Sequence, residues 1–149
     1  MRHLMKAGLI ALTLAMPMAA MAQNASPVGV WKTIDDETGK PKSLVRISEE
    51  GGALTGKIEK LFRPADQDQN PKCTSCEGAR KDQPIIGMTI LWGLKKDGNE
   101  YTGGEILDPA KGKTYKSKAT LKDNGSKLEV RGYIGAPMFG RSQTWVREQ

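Results

Sequence analysis

The sequence predicts an all-β protein, an eight-stranded antiparallel up-and-down barrel behind a cleaved signal peptide. Three observations lead there. Short runs of alternating apolar and polar residues recur along the chain, separated by hairpin-length clusters of Gly, Asn, Asp and Pro. Beyond the leader no segment carries a convincing helical period. Finally, eight strands in one open sheet would expose a broad face and two edges, which closure into a barrel removes. A two-sheet sandwich is the competing architecture, because it produces the same alternation.

The leader is MRHLMKAGLIALTLAMPMAAMAQ. Arg2 and Lys6 form a basic n-region, residues 7–16 an apolar h-region broken by Pro17, and Ala20-Met21-Ala22 a small-x-small cleavage site before Gln23. The apolar stretch is too short for a spanning helix, and no Cys stands at the cleavage point to take a lipid. Residues 1–22 are thus read as a signal peptide and 23–149 as one domain, periplasmic or secreted. Cleavage removes His3, the only histidine, so Ser-His-Asp and Cys-His chemistries are excluded and the commonest transition-metal ligand is missing. It also removes two of the 23 basic residues, leaving 21 against 17 acidic ones. An excess of that size in an exported chain argues against a nucleic-acid partner.

The strands follow in order. Residues 28–34 form the first run, ended by "DDETGKP", and 43–48 the second, ended by "EEGG". The third, 53–62, leads into a long loop over 63–84; the fourth is the apolar run 85–94, stopped by "KKDGNE". Residues 101–107 end at "DPAKGK", where Asp-Pro starts a turn. Residues 114–121 set Tyr115, Ser117, Ala119 and Leu121 on one face and Lys116, Lys118 and Thr120 on the other. "KDNGS" supplies an Asn-Gly turn, after which 127–134 alternates again, with Tyr133 falling in the polar set. Residues 142–147 close the chain. Gly56, Gly87, Gly104 and Gly132 suit bends and bulges where a barrel curves.

Specific strings now carry a resemblance. Gly29-Val30-Trp31 resembles the opening of lipocalin-like barrels, and "QPIIGMTILWGL", "GGEILDPAKGKTYKSK" and "RGYIGAPMFGRSQTWVR" together resemble the bacterial exported family catalogued as domain of unknown function 2147. The resemblance spans essentially the whole chain after the leader. It implies a lipocalin-like barrel without an established activity, and it brings no catalytic residues. It also implies a basic residue packed over the first-strand tryptophan. Arg147 stands at the end of the last strand, which a closed barrel must pair with the first; Arg141 is the substitute.

Both cysteines lie in "KCTSCEG". An exported bacterial protein meets an oxidising compartment, so Cys73 and Cys76 are expected as a disulfide. A redox-active pair needs its first Cys at a helix N-terminus, and Gly78 and Pro84 leave no room for a substantial helix. A zinc site would need more ligands than two Cys provide. The expected role is a local staple in a polar loop, closing a minimal ring worth about 2 kcal/mol. In the same loop Asp66, Asp68, Asn70 and Glu77 mimic a calcium loop, but Pro71 occupies the place where glycine is needed. Asp35, Asp36, Glu37 and Asp108 fall in turns, where such acids shape the backbone, and no acid pair for glycoside chemistry is legible.

Trp31, Trp92 and Trp145 are read as core or barrel-end residues. Tyr115 and Tyr133 are candidate cavity-wall residues, each with an apolar body and one hydroxyl. Met138, Phe139 and Arg141, in the Gly/Pro loop "GAPMFGR", are candidates for a lid or contact at a barrel mouth. The functional expectation is a non-enzymatic barrel binding a small apolar or amphipathic ligand inside, with no cofactor, no metal and no membrane span. The alternative is a filled barrel acting in the cell envelope through its loops. Interior volume separates them: about 300 Å³ or more favours a ligand.

Overall fold

The computed structural model describes residues 26–148, together with 8 and 10–13. Most of the predicted leader, including His3 and the cleavage site at Ala20-Met21-Ala22, lies outside the described residues. Eight strands follow one another: β1 (Gly29–Ile34), β2 (Pro41–Glu50), β3 (Ala53–Leu61), β4 (Thr89–Asp97), β5 (Glu100–Asp108), β6 (Lys113–Lys122), β7 (Lys127–Tyr133) and β8 (Gly140–Arg147). Each pairs antiparallel with the next, and β8 returns to β1 to close the barrel. The sandwich is therefore excluded. At the seam Trp31 faces Arg147 and Lys32 faces Val146.

Inward positions alternate as the period-2 pattern requires. Val45 and Ile47 on β2, Leu54 and Ile58 on β3, and Leu128 and Val130 on β7 are all buried. Trp31, Leu91, Leu94, Leu128 and Trp145 are each no more than 1% exposed. Full burial of such side chains contributes about 1.5–3 kcal/mol apiece, the main force holding the sheet curved on itself.

Two segments depart from the sequence pattern. The apolar run 85–94 suggests one strand, yet β4 begins only at Thr89. The Ile85 N–H donates to the Pro71 carbonyl (3.0 Å) and the Gly87 N–H to the Ile58 carbonyl (2.7 Å), so this stretch fastens the long loop to itself and to β3. At the β6–β7 turn, Asp123, Asn124 and Gly125 all have positive φ (51°, 55° and 82°). Asn-Gly meets that demand cheaply, and Asp is among the few other residues that tolerate it.

In an up-and-down barrel alternate connections share an end. The β1–β2 turn, the long β3–β4 loop, the β5–β6 turn and the β7–β8 loop gather at one end. The other end receives the remaining turns and the approach of the chain into β1.

Candidate functional site: a cavity open at one barrel end

The end where the chain enters β1 is closed by one constellation. The Trp31 indole N–H donates to the Pro27 carbonyl at 2.8 Å, fixing the ring beneath the entering chain. The Arg147 guanidinium lies 4.3 Å from the ring centroid. Its nitrogens donate to the carbonyls of Gly125 (2.7 Å), Val28 (3.0 Å) and Ser26 (2.7 Å). One arginine thus ties the β6–β7 turn to the segment preceding β1, and its burial lowers its pKa from the usual arginine value. Arg141 sits at the opposite end, paired with Asp36 at 2.9 Å.

That opposite end opens into a cavity of about 900 Å³. Its wall is apolar, with Ile58, Ile90, Ile106, Val130 and Trp145 among its residues. A few polar groups interrupt it. The Thr33 and Ser43 hydroxyls bond each other at 2.6 Å across β1 and β2. The Trp145 indole N–H donates to Gln143 Oε1 at 3.2 Å, holding the Gln143 side chain at the wall. Fully buried on the same inner face of β6 as Tyr115, Ser117 keeps its hydroxyl without a protein partner among the described residues.

The rim is built from the loops. The β3–β4 loop is folded on itself by the Cys73 N–H to the Gln83 carbonyl (2.8 Å) and by a bridge pairing Lys72 with Pro84. The Cys73–Cys76 disulfide is present, with Cα atoms 5.3 Å apart. Its setting corrects the expectation of a staple in a polar connection: Cys73 and Cys76 are 0% and 2% exposed and join the hydrophobic core. Cys73 Sγ lies 3.4 Å from the Pro109 carbonyl oxygen; a disulfide sulfur has no proton to give, so this is a packing contact against the β5–β6 turn. Gly112 in that turn runs so close beneath the loop that a Cβ there would fall 1.8 Å from the Ser75 carbonyl oxygen. Arg80 stacks over Trp92 at 4.7 Å, so the half-buried Trp92, packed against the core cluster, also clamps the loop.

Three acids of these loops shape turns. Asp68 accepts the Asn70 N–H at 2.9 Å, and Asp108 accepts the Ala110 N–H at 3.0 Å. Asp35 accepts the N–H groups of Glu37 (2.8 Å) and Thr38 (3.1 Å), and these backbone donors, Thr38 foremost, hold its carboxyl below the ordinary value. Among the described residues no three His, Cys, Asp or Glu side chains converge as a metal site would require.

Of the residues singled out from sequence, Tyr115, Tyr133, Phe139 and Arg141 line the cavity. Met138 does not: it stands 76% exposed beside the mouth, since the Gly/Pro loop turns it outward while Phe139 points to the rim. Tyr133 belongs to the outward set of β7 but occupies the last position of the strand, and reaches the mouth from there. Sequence reasoning missed the inner polar residues Thr33, Ser43 and Gln143, and the basic rim of Lys42, Arg63, Lys72 and Lys111. The shared end of alternate connections was the signal that could have gathered them.

Residues 29–147 match the family described as an uncharacterized protein conserved in bacteria, domain of unknown function 2147. No curated protein matches the chain. Among solved structures the barrel is similar to one described as "Protein HP1028 from the human pathogen Helicobacter pylori belongs to the lipocalin family". That likeness has 22% identity and a TM-score of 0.71 over 83% of this chain and 84% of the other, and it bears on the fold. With the family model covering nearly all of the barrel, this chain belongs to the domain of unknown function 2147 family and has a lipocalin-like fold.

Proposed function

We propose that the barrel is a non-enzymatic binder of a small apolar or amphipathic molecule, working in the periplasm or outside the cell once its leader is removed. The cavity carries this reading. At about 900 Å³, with an apolar wall, a few polar groups and one open end, it has the size and composition of small-molecule sites. The chain after the predicted cleavage point has no histidine, which leaves the commonest general base out of any mechanism. The competing reading, a filled barrel acting through its loops, has the exposed Met138 and Phe139 in its favour but does not account for a cavity of this size.

Native mass spectrometry of protein purified from its own compartment is expected to show a retained small molecule. A variant localises the site. Gly132 lines the cavity, and a Cβ there would meet Ile106 and Tyr115 at 3.5 and 3.6 Å, ordinary contact distances. Gly132→Leu therefore adds bulk to the cavity with little backbone penalty, and should weaken an apolar fluorescent probe about tenfold or more by removing volume the ligand needs. Equal binding by the variant and the parent would place the ligand elsewhere or nowhere.

A further inference from the structure

We infer that the ligand is an anionic amphiphile, its apolar tail in the cavity and its acidic head at the rim; this rests on the ligand-binding reading and narrows it. The charge distribution carries the argument. Lys42, Arg63, Lys72, Lys111 and Arg141 line the cavity against a single carboxylate, Asp108. With Asp36 paired to Arg141, five cations stand against two carboxylates, a local excess of three positive charges. The whole chain after the predicted cleavage point carries 21 basic and 17 acidic residues, an excess of four, so three of those four charges gather at the mouth.

Only Arg141 in this set has an ion-pair partner among the described residues, Asp36 in the β1–β2 turn. Lys42, Arg63, Lys72 and Lys111 have none in contact among the described residues, though the charge of Lys42 reaches the Asp35 carboxylate. Exposed pairs form elsewhere on the surface, as between Lys32 and Glu148. These four come from β2, the β3–β4 loop and the β5–β6 turn, so the topology brings them together where neighbours in sequence would not be. Lys113 adds a further ammonium near the mouth, 5.4 Å from the Tyr115 ring. A mouth with a net excess of one sign of charge above low-dielectric walls focuses the field on whatever enters. Beneath it, the wall of Ile58, Ile90, Ile106, Val130 and Trp145 offers an anion nothing but suits an alkyl chain or ring system. Lysines act as point charges on flexible stems, so the rim selects sign ahead of shape, and carboxylate, sulfate and phosphate heads all qualify.

Displacement of an apolar fluorescent probe by laurate, dodecanol and dodecyltrimethylammonium tests this, each below its micelle concentration, with inorganic phosphate in a parallel arm. Laurate should compete about tenfold or more better than dodecanol at low salt, with the gap narrowing as salt screens the rim. Lys72→Gln with Lys111→Gln should shrink the laurate advantage and leave dodecanol unchanged. Equal competition by laurate and dodecanol, or better competition by the cation, overturns the anionic head while leaving the cavity reading intact. Displacement by inorganic phosphate as effective as by laurate overturns the amphiphile. If the probe does not bind, or binds to Gly132→Leu as well as to the parent, the cavity reading itself falls, and this inference with it.

Discussion

Arg147 stacks 4.3 Å from the ring of Trp31, and the two residues are also direct partners in the register that joins the last strand to the first. Seam and plug are therefore one structure. Trp31 is fully buried, so Trp31→Ala should cost about 3–5 kcal/mol as a large buried aromatic deletion. Arg147→Met keeps much of the apolar stem but loses the stacking and three hydrogen bonds to carbonyls, and should cost about 1–3 kcal/mol. Urea unfolding of both variants and the double variant checks this. Strict additivity would mean that the stacked pair does not act as a unit.

The disulfide has a place in the core that its spacing alone does not suggest. Its ring spans only Cys73 to Cys76, so the chain-entropy contribution is about 2 kcal/mol. Burial against the Pro109 turn adds to that, because each sulfur fills space in the core. Replacing both cysteines with Ala should destabilise by about 2–4 kcal/mol, combining the ring entropy with lost packing. Hydrogen exchange should speed up selectively in 73–85, where the Cys73 and Ile85 N–H groups now bond within the loop, while β6 and β7 stay protected. Uniform loss of protection would show that the bridge supports the whole barrel.

Strand alternation was legible because a half-buried strand repeats every two residues, and seven of the eight observed strands lie within a few residues of the alternating runs. The fourth shows why apolar content misleads. Ile85 and Ile86 read as strand, yet hydrogen bonds to Pro71 and Ile58, pairings remote in sequence, assign that stretch to the loop. The site was legible only in part. Tyr115 could be placed from its own strand, whereas Lys42, Arg63, Lys72 and Lys111 mean something only once closure collects alternate connections at one end. The buried disulfide was hidden for a similar reason: its burial depends on the β5–β6 turn, more than thirty residues away in sequence.

Asp35 predicts a pH dependence with a definite sign. Its folded pKa lies below the ordinary value of 3.8, chiefly through the Thr38 and Glu37 N–H groups, so the unfolded chain takes up its proton first. The stabilisation is fully present above the unfolded value and is lost as pH falls through the folded one. Asn at this position keeps an oxygen for the two N–H donors but carries no charge. Wild type should therefore melt above Asp35→Asn at neutral pH, with the two curves converging once acid protonates the carboxyl. A gap that persists or widens in strong acid would show that the charge is not what the turn uses.

Gly112 should be the least replaceable glycine of the rim, for two separable reasons. Its φ of +65° is disfavoured for any residue with a Cβ, and that Cβ would fall 1.8 Å from the Ser75 carbonyl oxygen of the disulfide loop. Gly39, at φ +70° in the β1–β2 turn, has the same backbone demand but open space around it. Gly39→Ala should therefore cost only the conformational strain, about 1–2 kcal/mol. Gly112→Ala must also move the loop off the β5–β6 turn, and should cost at least about 1–2 kcal/mol more, as a steric clash in a packed contact. The displaced loop carries Lys72, Thr74 and Ser75, all of which line the cavity, so probe affinity should change in Gly112→Ala and stay the same in Gly39→Ala. Matching stabilities and matching affinities for the two variants would mean that the loop does not rest on the turn in solution.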